Sequence, residues 1–136
     1  MQMIPWDYNL AFGTFQGGEN ATSVVNSAID SPVDGDISDR PMIAWIFNNE
    51  KYTELYHTIF AEFINEYFES GYFESMIDTV KEIITPYVEK DPTKFCTYEE
   101  FEKGVETLKE FCLLRSESVR KQLNGEIGLT SDTQDS

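Results

Sequence analysis

Apolar residues recur every three or four positions through much of the chain from Tyr52 to Gln122, the spacing that puts them on one face of a helix. The clearest stripe is Tyr52, Leu55, Tyr56, Ile59, Phe60, Phe63, Ile64 and Tyr67, with Thr53, Glu54, Thr58, Glu62, Asn65 and Glu66 mostly opposite. It predicts a long amphipathic helix whose aromatic face is core. Gly71 ends it. A second stripe, Phe73, Met76, Ile77, Val80, Ile83, Ile84, Tyr87 and Val88, predicts the next core helix. Pro86 lies inside that pattern, and because it removes a backbone donor it predicts a kink or an early end. Thr97 followed by Glu100 is a capping box that opens a third long helix, closed near Leu123 by Asn124-Gly125. Ahead of these, Asp39-Arg40-Pro41 supplies a cap and a first-turn proline for a short helix through Met42, Ile43, Trp45, Ile46 and Phe47.

One position in the last helix breaks the pattern. Tyr98, Phe101, Val105, Leu108, Cys112, Arg115, Val119 and Gln122 form a three-four seam, and this brings Arg115 among apolar residues. A charge there needs either a carboxylate or a set of helix-end carbonyls as a structural partner; the alternative is a direct phosphate contact.

The first forty residues have no such period. Residues 16–39 are rich in Gly, Ser, Asn and Asp and predict a long loop, with a short turn of helix around Ser23 to Ala28. Asp34, Asp36 and Asp39 lack the glycine and late glutamate of a calcium loop and are expected to be solvated. The chain thus divides into a strand-and-loop segment over 1–39, a helical lobe over 40–124, and a polar tail over 125–136 expected to be disordered. The fold class is mainly α.

Composition narrows the partners. In 136 residues, 40% hydrophobic and 14% aromatic, there is one globular domain at most, able to bury about two-thirds of its unfolded surface. A net charge of −15 disfavours nucleic acid and anionic membrane, and fits a basic protein partner better. Cys96 and Cys112 are too few and too far apart for a zinc knuckle and are expected to be free thiols. No secretory leader or membrane-length apolar run is visible. His57, beside the polar face with no second His or Cys near it in sequence, is expected to face solvent.

Candidate chemistry is concentrated at the start, in Ile4-Pro5-Trp6-Asp7-Tyr8-Asn9-Leu10-Ala11-Phe12-Gly13. If the segment is extended, Asp7 and Asn9 point to one side while Trp6, Tyr8 and Leu10 point to the other. A carboxylate and an amide carbonyl on one face suit a hard cation such as Mg²⁺ or Mn²⁺. Asp and Asn are equally ordinary turn formers, so spacing alone leaves both readings open.

The same stretch, Pro5-Trp6-Asp7-Tyr8-Asn9 running to Gly13, resembles the metal-binding segment of the CotH family, atypical protein kinases of bacterial spore coats. Arg40-Pro41, Asn49-Glu50-Lys51-Tyr52, and Phe111 to Leu123 with Leu114-Arg115 and Val119-Arg120 resemble that family's C-terminal half in order and spacing. The resemblance implies the helical C-terminal lobe of a kinase-like fold. It also implies that Asp7 holds Mg²⁺ or Mn²⁺ against the phosphates of ATP, as the aspartate of Asp-Phe-Gly does in ordinary kinases. Gly13 lies beyond the place of that element's glycine, and Asn9 as a second ligand rests on alternation, not on the family. The implied reaction is transfer of the γ-phosphoryl group to protein Ser or Thr, with basic, Ser-rich coat or surface proteins as substrates and the spore coat or cell surface as the location.

No Gly-rich phosphate loop, phosphate-pairing Lys or His-Arg-Asp segment occurs in the chain. It therefore reads as a fragment, with no catalytic residue assigned in it and no activity expected of it alone. A non-catalytic helical interaction module, with the aromatic helices as its binding surface, is the rival reading; a large exposed apolar patch would favour it.

Overall fold

The structure is a computed structural model; it describes Ala11, Phe12 and residues 24–134. All regular elements among these residues are helical. They are α1 (Pro41–Phe47), α2 (Glu50–Ile64), α3 (Tyr72–Lys90), α4 (Tyr98–Leu123) and the short α5 (Ser131–Gln134), with a single 3₁₀ turn at Ile37–Asp39. The segment expected to carry a strand, with Asp7 and Asn9, lies outside the described residues.

The helix ends follow from local chemistry. Asn49 caps α2 by accepting a hydrogen bond from the Tyr52 N–H. Thr97 and Glu100 form the full reciprocal capping box of α4. α2 passes without a break into a π-helical turn, Asn65–Glu69, and the chain reverses at Gly71, whose φ of 78° is closed to most side chains. Gly125, with φ of 77°, ends α4 in the same way. Two boundaries differ from expectation. The position before Pro41 is capped by no side chain: Arg40 occupies it, and Asp36 instead caps the 3₁₀ turn through the Ser38 N–H. α3 does not end at Pro86 but continues to Lys90. Pro86 and Glu82, whose carbonyl loses its donor, are both exposed, so water can take over that acceptor.

The core is small and sits where α2, α4 and residues 24–30 meet. Ile29, Ile64 and Val119 are its centre, and Phe60, Phe68, Leu123 and Leu129 pack around them. Residues 24–30 therefore pack into the same core as α2 and α4. Residues 125–134 are likewise ordered. Leu129 is held in the core cluster, its carbonyl accepts from the Asp30 N–H at 2.9 Å, and Gln134 Nε2 donates to the Gly128 carbonyl at 2.8 Å. An apolar side chain in a polar tail helps to dock it where it meets an open core edge.

The helical stripes are only partly buried. On α2 the burial is confined to Ile64, with Tyr56 and Phe60 half-buried, whereas Leu55 is 52% exposed and Ile59 55%. On α3 only Phe73 is buried; Ile83 is 61% exposed and Tyr87 75%. The described residues lack a layer to cover both stripes, so α2 adds Ile64 and Phe60 to the core cluster while most of the α3 stripe faces outward.

Candidate functional site

Polar chemistry among the described residues gathers around Val24 to Asp30, the segment that leads out of the N-terminal third. Val24 and Val25 form a short helical turn, after which the chain runs across α2 and α4. α4 grips it from the seam. Arg115 Nη1 donates to the Val25 carbonyl at 2.8 Å and the Ser27 carbonyl at 2.6 Å. One heptad further on, Gln122 accepts from the Ile29 N–H at 2.9 Å and donates through Nε2 to the Asn26 and Ser27 carbonyls and to Ser118 Oγ. Gln122 is 0% exposed, and every buried side-chain polar atom described has a partner.

α2 grips the same segment from the other side. The Tyr56 hydroxyl donates to the Ile29 carbonyl at 2.9 Å, and His57 Nε2 lies 2.7 Å from Asp30 Oδ1, the geometry of a bond donated to the carboxylate. His57 is thus not the solvent-facing histidine expected from its place beside the polar stripe; its partner lies 27 positions away in sequence. Burial, and then the Asp30 carboxylate, push the Tyr56 hydroxyl up to about 12. Burial lowers the pKa of Arg115, with Tyr56 opposing the shift.

Arg115 separates two cavities. One, of about 440 Å³, is lined by Ser27, Ala28, Val33 and Tyr56 among others. The other, of about 370 Å³, is apolar and is walled by Phe12, Phe60, Phe63, Phe111 and Cys112. Phe12 is the described end of the Ile4–Gly13 stretch. It has a φ of 61°, which is costly for a residue with a side chain, and its ring lies against Phe73 with centroids 6.5 Å apart. Phe12 therefore lies beside the start of α3.

The structure brings together Arg115, Gln122, Tyr56, His57 and Asp30, and of these the seam singled out only Arg115 as needing a partner. It is met by carbonyls after a helical turn, one of the two structural solutions expected. Gln122 stands on the same seam seven residues later, so its register was a signal; its partners were not. Asp7 and Asn9 lie outside the described residues, and among those described no group of three or more His, Cys, Asp or Glu could hold a metal ion. Cys96 and Cys112 are free, and burial pushes the Cys112 thiol up to about 11.

Among the described residues the protein is a helical lobe that holds residues 24–30 between α2 and α4. Residues 1–119 match the family described as CotH kinase protein, and the chain belongs to that family. No curated protein and no solved structure matches it.

Proposed function

We propose that this chain is the metal-loop and helical-lobe portion of a protein kinase that transfers the γ-phosphoryl group of ATP to protein Ser or Thr, and that the chain is inactive by itself. The observation that carries the reading is the family match across residues 1–119; the assignment of Asp7 as the metal-holding acid rests on the resemblance of the Pro5–Gly13 stretch. In that role Asp7, with Asn9 beside it, holds Mg²⁺ or Mn²⁺ on the phosphates. Phosphoryl transfer depends chiefly on positioning and charge neutralisation, which is why a single acid matters. The chain's own contribution is to orient that acid: Phe12 anchors one end of its segment, and the Arg115–Gln122 grip fixes the segment that follows. Basic, Ser-rich coat or surface proteins fit a chain of net charge −15 as substrates.

The test is Asp7→Ala in a protein carrying the entire kinase-like domain. A loss of more than roughly 100-fold in kcat is expected, equal to at least ~2.7 kcal/mol of transition-state stabilisation. The melting temperature should hardly move, whereas Phe60→Ala, next to the core, should cost about 3 kcal/mol. Asn9→Ala should lose less and recover at higher Mn²⁺. Full activity in Asp7→Ala would end this reading.

A non-catalytic interaction module remains the second reading, favoured by the exposed aromatic and aliphatic face of α2 and α3. Binding by that face with no effect of Asp7→Ala would establish it.

A further inference from the structure

Arg115 carries a positive charge that no carboxylate among the described residues neutralises, although the chain as a whole is strongly acidic. The contrast with its neighbours is sharp. Arg120 is held bidentate by Glu69, with both contacts at 2.9 Å, and Lys81, Lys109 and Lys121 each face a carboxylate. Among the described residues Arg115 donates to the carbonyls of Val25 and Ser27, and both bonds use Nη1. A guanidinium has five N–H donors, so Nε and Nη2 keep three that find no acceptor among the described residues. A carbonyl supplies a lone pair but no compensating charge.

The side chain lines the cavity of about 440 Å³. In the same wall Ala28 is buried, and its backbone N–H has no acceptor among the described residues. Asp34 lines the cavity and is exposed, whereas Asp30 is not among the lining residues and is engaged by His57. Tyr56 contributes a hydroxyl kept protonated and already donated to Ile29. The cavity thus holds the free donors of a cation that makes no ion pair among the described residues.

We propose that this cavity is an oxyanion site, in which the free edge of Arg115 receives the oxygens of a phosphate or carboxylate group. A planar fork and two coplanar oxygens match in geometry as well as charge. A neutral ligand would leave the cation uncompensated, and a cationic one would be repelled. The site is independent of Asp7 and of any metal, and stands whether or not the chain is part of a kinase. The chain's overall charge opposes any free anion, so inorganic phosphate should bind with a Kd on the order of 1 mM.

The experiment follows the side-chain Nε–H resonance of Arg115 in the ¹⁵N-labelled 136-residue chain, identified by its loss in Arg115→Lys. Sodium phosphate, O-phosphoserine and sodium acetate are titrated separately at constant ionic strength, with sodium chloride as blank. A saturable shift of the Arg115 Nε–H and the Ala28 amide is expected with at least one oxyanion and not with chloride. The phosphate and acetate arms show which group the site prefers. Val33→Glu, which places a carboxylate at the cavity wall, should weaken binding at least about tenfold, while the uncharged Val33→Gln should stay within about threefold of the parent. No saturable shift in the parent chain with any of the three up to about 20 mM, an equal response to chloride, or undiminished binding in a folded Val33→Glu would overturn the proposal. Should Val33→Glu fail to fold, the parent titrations decide alone.

Discussion

Gln122 is the residue on which the lobe depends most directly. Its amide satisfies the Ile29 N–H and two carbonyls of the crossing segment while wholly removed from water. Gln122→Ala leaves the buried Ile29 N–H without its acceptor and opens a gap beside Val119, so a loss of about 2–4 kcal/mol is expected in urea unfolding. Glu126, by comparison, is exposed, and Glu126→Ala should change little. Two buried groups also set the response to alkali. Tyr56 and Cys112 have their pKa values raised in the folded chain, to about 12 and about 11. The unfolded chain ionises both sooner, near 10.0 and 9.0, so their contribution is complete below about pH 9 and declines as pH rises toward 12. Stability measured across that range should fall more steeply in the parent than in a Tyr56→Phe variant, and Cys112 should resist thiol reagents near pH 8 while the fold holds.

At the scale of single helices, two positions contradict local preference. Gly104 sits inside α4 with open space where a Cβ would stand, so Gly104→Ala should stabilise by about 0.5–1 kcal/mol. Pro86 sits inside α3 on an exposed face, and Pro86→Ala should stabilise by about 1–3 kcal/mol, read as an increase in thermal midpoint. Helix boundaries are largely legible in the sequence, because a capping box, an Asn cap and a terminal glycine each act within about four residues. The continuation past Pro86 is not legible there, since it depends on whether the freed carbonyl faces water or protein.

Across the whole molecule the exposed faces of α2 and α3 dominate. Rings run in contact from Phe63 through Tyr67 to Tyr72, joining the two stripes at the turn between them. Such a face drives association unless a partner covers it. The purified chain should therefore self-associate with rising concentration, and a Leu55→Lys, Ile83→Lys double variant should remain monomeric in analytical ultracentrifugation with its thermal midpoint little changed. A monomeric parent chain at high concentration would show that the acidic flanks suffice to keep the face apart.

Periodicity, caps and composition determined the mainly helical class, the order of the long helices and the need of Arg115 for a partner, because each is a property of residues within about one or two helical turns. The Pro5–Gly13 stretch carried the family resemblance in the same local way. Only the tertiary structure decided which residues of each stripe are buried, that Asp30 partners His57, and that Leu129 packs against the core. Those outcomes join residues tens of positions apart. Amphipathic spacing states that a face is apolar, whereas burial also requires something to lie against it, and that is settled only when the whole chain has packed.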